Sequence, residues 1–160
     1  MQYRMMDSPL GQLLLAGEGN ALEIIGFPAG KGQVRLEDDW RESPSAFETV
    51  AKQLNEYFEG RRKSFDLNLK PRGTPFQLSV LDALKKIPYG KTSTYGDIAS
   101  SIGRPRAVRA VGAANGRNPL PIVIPCHRVI GSDGSLTGFG GGLPAKQYLL
   151  TLESSDFQLS

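Results

Sequence analysis

The apolar pattern of the chain changes at residues 70–73, and no other feature of the sequence constrains its fold as much. Residues 2–6, 12–16 and 22–27 are short apolar segments bounded by Gly, Pro, Asn and Asp, which is typical of strands. A loop is expected over residues 28–44. The first half of the chain should therefore be built around a small sheet.

One helix should follow this loop. Ser45 and Glu48 have the spacing of a capping box, and apolar residues then recur on one helical face until Gly60 ends the segment. The alternation of apolar and polar residues over 65–69 predicts one more strand. Because this half has no catalytic constellation, we interpret it as a scaffold.

Three helices are predicted in the second half. Thr74 and Gln77 have capping-box spacing around a proline, so a helix should start there and run to residue 87. A second helix should begin after the cap Thr94, and a third should cover residues 106–114. The short glycine-containing turn between the second and third helices gives a helix-turn-helix pattern.

The two halves differ in charge, and they are predicted to be two domains, residues 1–70 and 71–160. Residues 1–69 hold eight Lys/Arg and eleven Asp/Glu, whereas residues 70–160 hold eleven and five. A basic second half favours an anionic partner, most simply nucleic acid. The alternative is a charged surface that is merely solvated.

The third predicted helix is rich in small residues. A helix that reads bases in the major groove needs several long polar side chains, and here only Arg106 and Arg109 are available. The helix should either pack tightly inside the protein or approach a nucleic-acid backbone or minor groove. In the second case we expect little sequence preference, with Arg109 as the probing side chain.

The only cysteine, Cys126, and the only histidine, His127, are neighbours. An imidazole can help a thiol to form the reactive thiolate, although a free buried cysteine is also a common small apolar residue. On a regular strand the two side chains would point to opposite faces. A catalytic pair therefore requires a bend or a bridging water, with Glu153 or Asp133 orienting the imidazole.

The same scarcity of ligands excludes several other chemistries. One cysteine and one histidine are too few for an ordinary zinc site, so we predict no metal and no cofactor. One cysteine allows no internal disulfide, and no signal peptide or membrane span is evident. We expect a monomeric, cytoplasmic protein that does not bind membranes.

Five segments, taken in their order, resemble one family. They are residues 95–96 (Tyr-Gly), 109–112 (Arg-Ala-Val-Gly), 115–119 (Asn-Gly-Arg-Asn-Pro), 122–131 (Ile-Val-Ile-Pro-Cys-His-Arg-Val-Ile-Gly) and 138–143 (Gly-Phe-Gly-Gly-Gly-Leu). The chain resembles the O6-alkylguanine-DNA alkyltransferases, closely over residues 75–153 and more loosely before them. The resemblance implies an N-terminal ribonuclease-H-like α/β domain and a mostly α, winged-helix-like C-terminal domain with a helix-turn-helix.

The resemblance also implies a reaction. Cys126 would take an alkyl group from O6 of guanine, and by extension O4 of thymine, in double-stranded DNA after the base has flipped out. Each chain would act once, because the thioether product has no evident exit. His127 would act through a water and Glu153 would orient it. Asn118 would hold the turn that places Cys126, and Tyr95 would hydrogen-bond the flipped base.

The remaining implied residues contact DNA or the flipped base. Arg109 would fill the space that the base leaves in the duplex. The further DNA-binding residues would be Arg106, Ala107, Ala110, Ala113, Arg117 and Arg128, together with Tyr95. The residues around the base would be Pro121, Val129, Phe139, Gly140, Gly141 and Lys146. The carbonyls of Cys126 and Val129 would face the guanine amino group, and the Gly140 amide and Lys146 would support O6.

The loop 138–142 is expected to leave the pocket open. Glycine occupies four of its five positions, so only Phe139 could close the lip beside Cys126. Pro121 would offer a flat apolar wall for a larger O6 substituent.

Three other functions compete with alkyl transfer. A non-catalytic relative that only recognises lesions would also suit the basic helices, but Cys126 argues against it. A helix-turn-helix regulator would need a more polar recognition helix. A cysteine hydrolase would need a histidine distant in sequence and a third group.

Overall fold

Four strands and one helix form the N-terminal part of the protein, of which a computed structural model describes residues 1–154. The elements are β1 (Gln2–Met6), β2 (Leu13–Glu18), β3 (Ala21–Gly26), β4 (Arg41–Glu42) and α1 (Glu48–Phe58). β2 pairs antiparallel with both β1 and β3, and the short β4 pairs parallel with β1. The helix α1 buries one apolar face, as its periodicity predicts.

Three expectations for this part are wrong. The loop 28–44 contains β4. The helix begins at Glu48, because Phe47 has a φ of 57° and the chain becomes helical only after it; the side chain of Ser45 therefore forms no cap. Residues 65–69 form no strand: one bridge joins Leu69 to Leu22, and the segment otherwise packs its apolar side chains against the core.

The C-terminal part contains four helices and a two-stranded parallel ribbon. The elements are α2 (Pro75–Leu84), β5 (Ser93–Thr94), α3 (Tyr95–Ser101), α4 (Val108–Gly116), β6 (Val129–Ile130) and α5 (Leu143–Glu153), with a 3₁₀ turn at Cys126–Arg128. The pair α3–α4 is the expected helix-turn-helix. The last six residues of the predicted domain 71–160 lie outside the described residues.

The caps that the sequence predicts for α2 and α3 are confirmed. Thr74 and Gln77 form a reciprocal capping box, and Thr94 accepts a hydrogen bond from the amide of Asp97. The predicted bounds are less accurate. α2 ends at Leu84, and α4 is displaced two residues toward the C-terminus because a turn bond from the Ala107 amide to the Arg104 carbonyl precedes it.

The run before Cys126 is a turn and not a strand. The amide of Ile124 donates to the carbonyl of Leu120 at 2.9 Å, and Ile122 has a φ of 76°. This φ is unfavourable for a β-branched residue, so the surrounding packing must impose it. The chain therefore bends where a catalytic Cys126–His127 pair requires it to bend.

A single hydrophobic cluster joins the two parts. It contains, among others, Leu54 and Tyr57 of α1, Leu84 of α2, Leu149 of α5, and Ile124 from the turn before Cys126. The two predicted domains thus differ in their secondary structure, but they share one continuous hydrophobic core.

The two caps allow a matched test of stability. We expect Thr74→Ala to lower the free energy of unfolding by about 1 kcal/mol, because it leaves the Gln77 amide without its acceptor. Ser45→Ala should change it by less than about 0.5 kcal/mol. Urea unfolding of both variants measures the difference. Equal losses in the two variants would contradict the helix starts described above.

Candidate active site

Cys126 lies at the start of the 3₁₀ turn and borders a cavity of about 370 Å³. The thiol is nearly buried, with 4% of the residue exposed. Both parts of the chain line the cavity. The N-terminal part supplies Ile24, Ile25, Phe27, Lys31, Gly32, Gln33 and Val34, and the C-terminal part supplies Asn115, Gly116, Arg117, Asn118, Pro119, Pro121, Gly138, Phe139 and Gly140.

Asn118 holds the turn that delivers Cys126. Its Nδ2 donates to the Ile124 carbonyl at 2.8 Å, and its Oδ1 accepts from the Leu120 amide at 2.9 Å. From α4, Nδ2 of Asn115 reaches the Cys126 carbonyl at 3.4 Å. The position of the thiol is therefore coupled to the end of the second helix of the helix-turn-helix.

The thiol is protonated at rest. Burial raises the pKa of Cys126 to about 11, although a hydrogen bond with the Asn118 side chain and the charge of Lys146 oppose this rise. At neutral pH the sulfur therefore needs a base before it can act as a nucleophile.

His127, the next residue in the chain, is the candidate base. The ring is fully buried, and its Nε2 lies 2.7 Å from Oε2 of Glu153. Burial lowers the pKa of His127, against the opposing hydrogen bond and charge of Glu153, so the imidazole is neutral at rest. Since Nε2 donates to a carboxylate, Nδ1 carries the lone pair. Nδ1 is buried and has no partner among residues 1–154, which leaves it available to accept a proton.

Glu153, at the end of α5, is ionised although it is buried. Burial alone would raise its pKa, but hydrogen bonds from His127 and Arg128 and the charges of these residues lower the pKa to about 2. Nε of Arg128 lies 2.7 Å from Oε1 and Nη2 lies 3.0 Å from Oε2. Asp133, the other carboxylate considered for this role, is exposed and bonds to the Ser135 amide instead.

The expectation that Arg128 binds DNA is wrong. Its guanidinium donates to Glu153 and, through Nη1, to the Ile87 carbonyl at 2.7 Å. Only 7% of the residue is exposed to solvent. A buried carboxylate needs a charged partner, and Arg128 is the partner of Glu153.

Lys146 and Tyr95 hold the loop that follows β6. Nζ of Lys146 is buried and donates to the carbonyls of Val129 at 2.6 Å and Thr137 at 3.1 Å. The hydroxyl of Tyr95 lies 2.5 Å from Oγ1 of Thr137. None of these four residues lines the cavity beside Cys126. The Val129 carbonyl, expected to face the base, accepts one hydrogen bond from Lys146.

The lip of the cavity is not open, which corrects the expectation for loop 138–142. The Gly32 amide donates to the Gly140 carbonyl at 2.8 Å, and the rings of Phe27 and Phe139 pack edge to face at 5.4 Å. A Cβ at Gly141 would lie 2.9 Å from the Phe27 ring. Sequence reasoning missed Phe27 and Gly32 because nothing local indicates that β3 and its loop reach the second half of the chain.

One face of the helix-turn-helix is exposed and basic. Val111, Ala114 and Asn115 form the buried side of α4. Arg109, Ala110, Ala113 and Arg117 are exposed, as is Arg106 in the preceding turn, while Ala107 is half-buried. Their spacing of three to four residues puts them on one side of the helix. Arg117 also lines the cavity, so this basic face adjoins the site of Cys126.

The described residues contain neither a metal-binding cluster nor a membrane-spanning helix. Among residues 1–154, no three His, Cys, Asp or Glu side chains come together as metal ligands. No helix in the same range is long and apolar enough to cross a lipid bilayer.

Comparison with known proteins assigns the chain and its fold to one family. Residues 1–71 match the model of the 6-O-methylguanine DNA methyltransferase ribonuclease-like domain, and residues 75–155 match that of the 6-O-methylguanine DNA methyltransferase DNA binding domain. The chain belongs to the 6-O-methylguanine DNA methyltransferase family. The resemblance noted in the sequence is thereby confirmed, as is the fold that it implies.

Individual relatives of this family are similar over nearly their full lengths. The methylated-DNA–protein-cysteine methyltransferase of Methanosarcina acetivorans is 52% identical over 97% of this chain and 99% of its own. A crystal structure of Mycobacterium tuberculosis OGT in complex with DNA is 49% identical and superposes with a TM-score of 0.92, covering 97% of this chain and 94% of that one. An O6-methylguanine DNA methyltransferase from Methanococcus jannaschii gives a TM-score of 0.67 at 30% identity, with 98% and 95% covered.

The ionised state of Glu153 predicts a pH-dependent loss of stability. Its pKa is about 2 when folded and 4.5 in the reference state, so the carboxylate stabilises the fold fully above pH 4.5, and this contribution is lost as pH falls toward 2. We expect Glu153→Gln to cost about 3 kcal/mol of unfolding free energy at pH 7 and much less near pH 3. Urea unfolding across this range measures the deficit.

Glu59→Gln is the control for this measurement, because Glu59 is exposed and its ion pair with Arg61 is exposed as well. Its effect should stay within about 0.5 kcal/mol at every pH. A Glu153→Gln deficit that is the same at pH 7 and pH 3 would refute the ionised, buried carboxylate.

Proposed function

We propose that this chain is a methylated-DNA–protein-cysteine methyltransferase that moves a methyl or other alkyl group from O6 of guanine in duplex DNA to the sulfur of its own Cys126. The observation that carries the proposal is a thiol at a cavity whose neighbour His127 has a free, buried Nδ1 and a carboxylate on its other nitrogen. The family membership and the names of the relatives supply the substrate class.

The reaction follows from the protonation states of the site. The Cys126 proton passes to Nδ1 of His127 through one water, and Glu153 balances the imidazolium that forms. The thiolate then attacks the alkyl carbon in line, so that a C–S bond forms and the C–O6 bond breaks. The electron pair stays on the guanine, which takes up a proton. Nothing removes the thioether, so each chain reacts once.

The basic face of α4 is the proposed DNA-binding surface. Arg106, Arg109 and Arg117 are exposed on it, and the small side chains of Ala107, Ala110 and Ala113 allow a close approach to the duplex. Duplex stacking hides O6 of guanine, so the base must leave the helix, and Arg109 would occupy the vacated space. The structure of the M. tuberculosis relative is that of a complex with DNA, which supports a DNA partner for this chain.

The flipped base would enter the cavity beside Cys126. Pro121, Phe139, Gly140 and Gly141 would flank the alkyl group, with Phe27 behind them. Tyr95 would turn its hydroxyl from Thr137 to the base and supply a proton to the leaving guanine. Val129 and Lys146 would hold the shape of the base pocket through their mutual bond.

A monomer in the cytoplasm suits this function. A free thiol stays reduced in that compartment, and a reaction that consumes its own cysteine needs no partner subunit.

The proposed transfer predicts a stoichiometric change in mass. Incubation with an O6-methylguanine duplex should add one methyl group per chain, and peptide mapping should place it on Cys126. Cys126→Ser should bind the same duplex and gain no mass, because its hydroxyl is far less acidic than a thiol. Catalytic turnover well beyond one methyl group per chain would refute the single-turnover mechanism.

The proposed DNA surface predicts a separate effect. Arg109→Ala should slow methyl transfer from a duplex by about tenfold or more while leaving transfer from the free O6-methylguanine base unchanged, because only the duplex requires base extrusion. Binding of the wild-type protein to DNA should also weaken as salt is added, since phosphate contacts release counterions. Single-turnover rates on both substrates decide this point. Equal rates for Arg109→Ala and the wild type on duplex DNA would contradict the role of Arg109.

A further inference from the structure

The hydroxyl of Tyr57 reaches the active site from the N-terminal part of the chain. Tyr57 lies on α1, is completely buried, and donates a hydrogen bond to Oε2 of Glu153 at 2.5 Å, across 96 residues of sequence. The same oxygen accepts from Nε2 of His127 and Nη2 of Arg128. The carboxylate that serves the catalytic histidine is therefore shared with a phenol from the presumed scaffold.

The ring of Tyr57 is held in an aromatic cluster. The ring of Tyr57 packs against those of Phe58, Phe65 and Tyr89, with centroids 5.5, 5.4 and 6.3 Å away. Burial, followed by the charge of Glu153, raises the pKa of Tyr57, so the phenol keeps its proton and remains a donor.

The Tyr57 hydroxyl is the third donor to Oε2 of Glu153, and it weakens the interaction of this oxygen with His127. A hydrogen bond to the ionised form of a carboxylate stabilises its charge, and it thereby reduces the attraction that favours a proton on the neighbouring imidazole. The same bond fixes the plane of the carboxylate and hence the orientation of the imidazole.

We propose that Tyr57 is a positioning residue that holds the Glu153 carboxylate and limits the basicity of His127, and thereby sets the pH range in which Cys126 can lose its proton. The part of this inference that concerns Cys126 rests on the proposed function. The part that concerns His127 does not, because it follows from the hydrogen bonds alone.

Several other groups face the Glu153–His127 pair and set the background for this effect. They are Tyr89 from the loop after α2, Arg128 from the 3₁₀ turn, and Lys146 from α5. Tyr89 is the useful comparison, because its ring belongs to the same aromatic cluster while its hydroxyl donates to the Leu152 carbonyl.

The single histidine of the chain makes the test direct. The ring nitrogens of His127 can be titrated by NMR without any other imidazole signal, in the wild type, in Tyr57→Phe and in the matched control Tyr89→Phe. We expect the pKa of His127 to rise by about one unit in Tyr57→Phe and to stay unchanged in Tyr89→Phe. The acid limb of the single-turnover rate on O6-methylguanine duplex should move to higher pH by the same amount.

A second variant, expected to shift the pKa of His127 in the opposite direction, keeps the test decisive if Tyr57→Phe folds poorly. Incorporation of 3-fluorotyrosine at position 57 keeps the ring and makes the hydroxyl a stronger donor, so the pKa of His127 should fall below the wild-type value. An unchanged histidine titration in both position-57 proteins, or an equal rise in Tyr89→Phe, would overturn the inference. If the wild type transfers no methyl group, the proposed function fails, while the histidine titration still decides the role of Tyr57.

Discussion

Glu153 accepts hydrogen bonds from Tyr57, His127 and Arg128 inside the core, and the arrangement of the proposed catalytic residues depends on this carboxylate. A buried charge is tolerated only when it is paired and fully hydrogen-bonded, since its desolvation costs several kcal/mol. The three donors meet that requirement. These hydrogen bonds also connect α1, the 3₁₀ turn and the end of α5. Pairing of the buried Glu153 carboxylate thus holds segments together that are distant in sequence.

The resting site keeps a neutral thiol next to a neutral imidazole. Burial disfavours both the thiolate and the imidazolium, as the raised pKa of Cys126 and the lowered pKa of His127 indicate. In the proposed reaction, the thiolate–imidazolium ion pair is needed only when an alkylated base is in the cavity. A protein that reacts once benefits from this arrangement, because a thiolate exposed to solvent would react with other electrophiles first.

Local patterns in the sequence predicted local structure well. Thr74 with Gln77, and Thr94, identified their caps because a cap depends on residues within one turn of helix. Ser45 and Glu48 had the same spacing but failed, because the buried Phe47 bends the chain first. His127 and Glu153 form the expected hydrogen bond, whereas Arg128, placed at the DNA on the strength of the family resemblance, pairs with Glu153 inside the protein. Its internal partner and Tyr57 could be found only from contacts between segments distant in sequence.

The loop after β3 contacts loop 138–142, so residues of the N-terminal part line the cavity without belonging to the proposed reactive groups. In the proposed reaction, proton transfer involves Tyr95, His127 and Glu153, whereas Ile24, Lys31, Gln33 and Val34 form a wall of the cavity. Mutations in that wall can therefore alter which adducts fit while the reactive pair stays intact. Substrate range and reactivity are separate traits in such a protein, and selection or directed evolution can change one without the other.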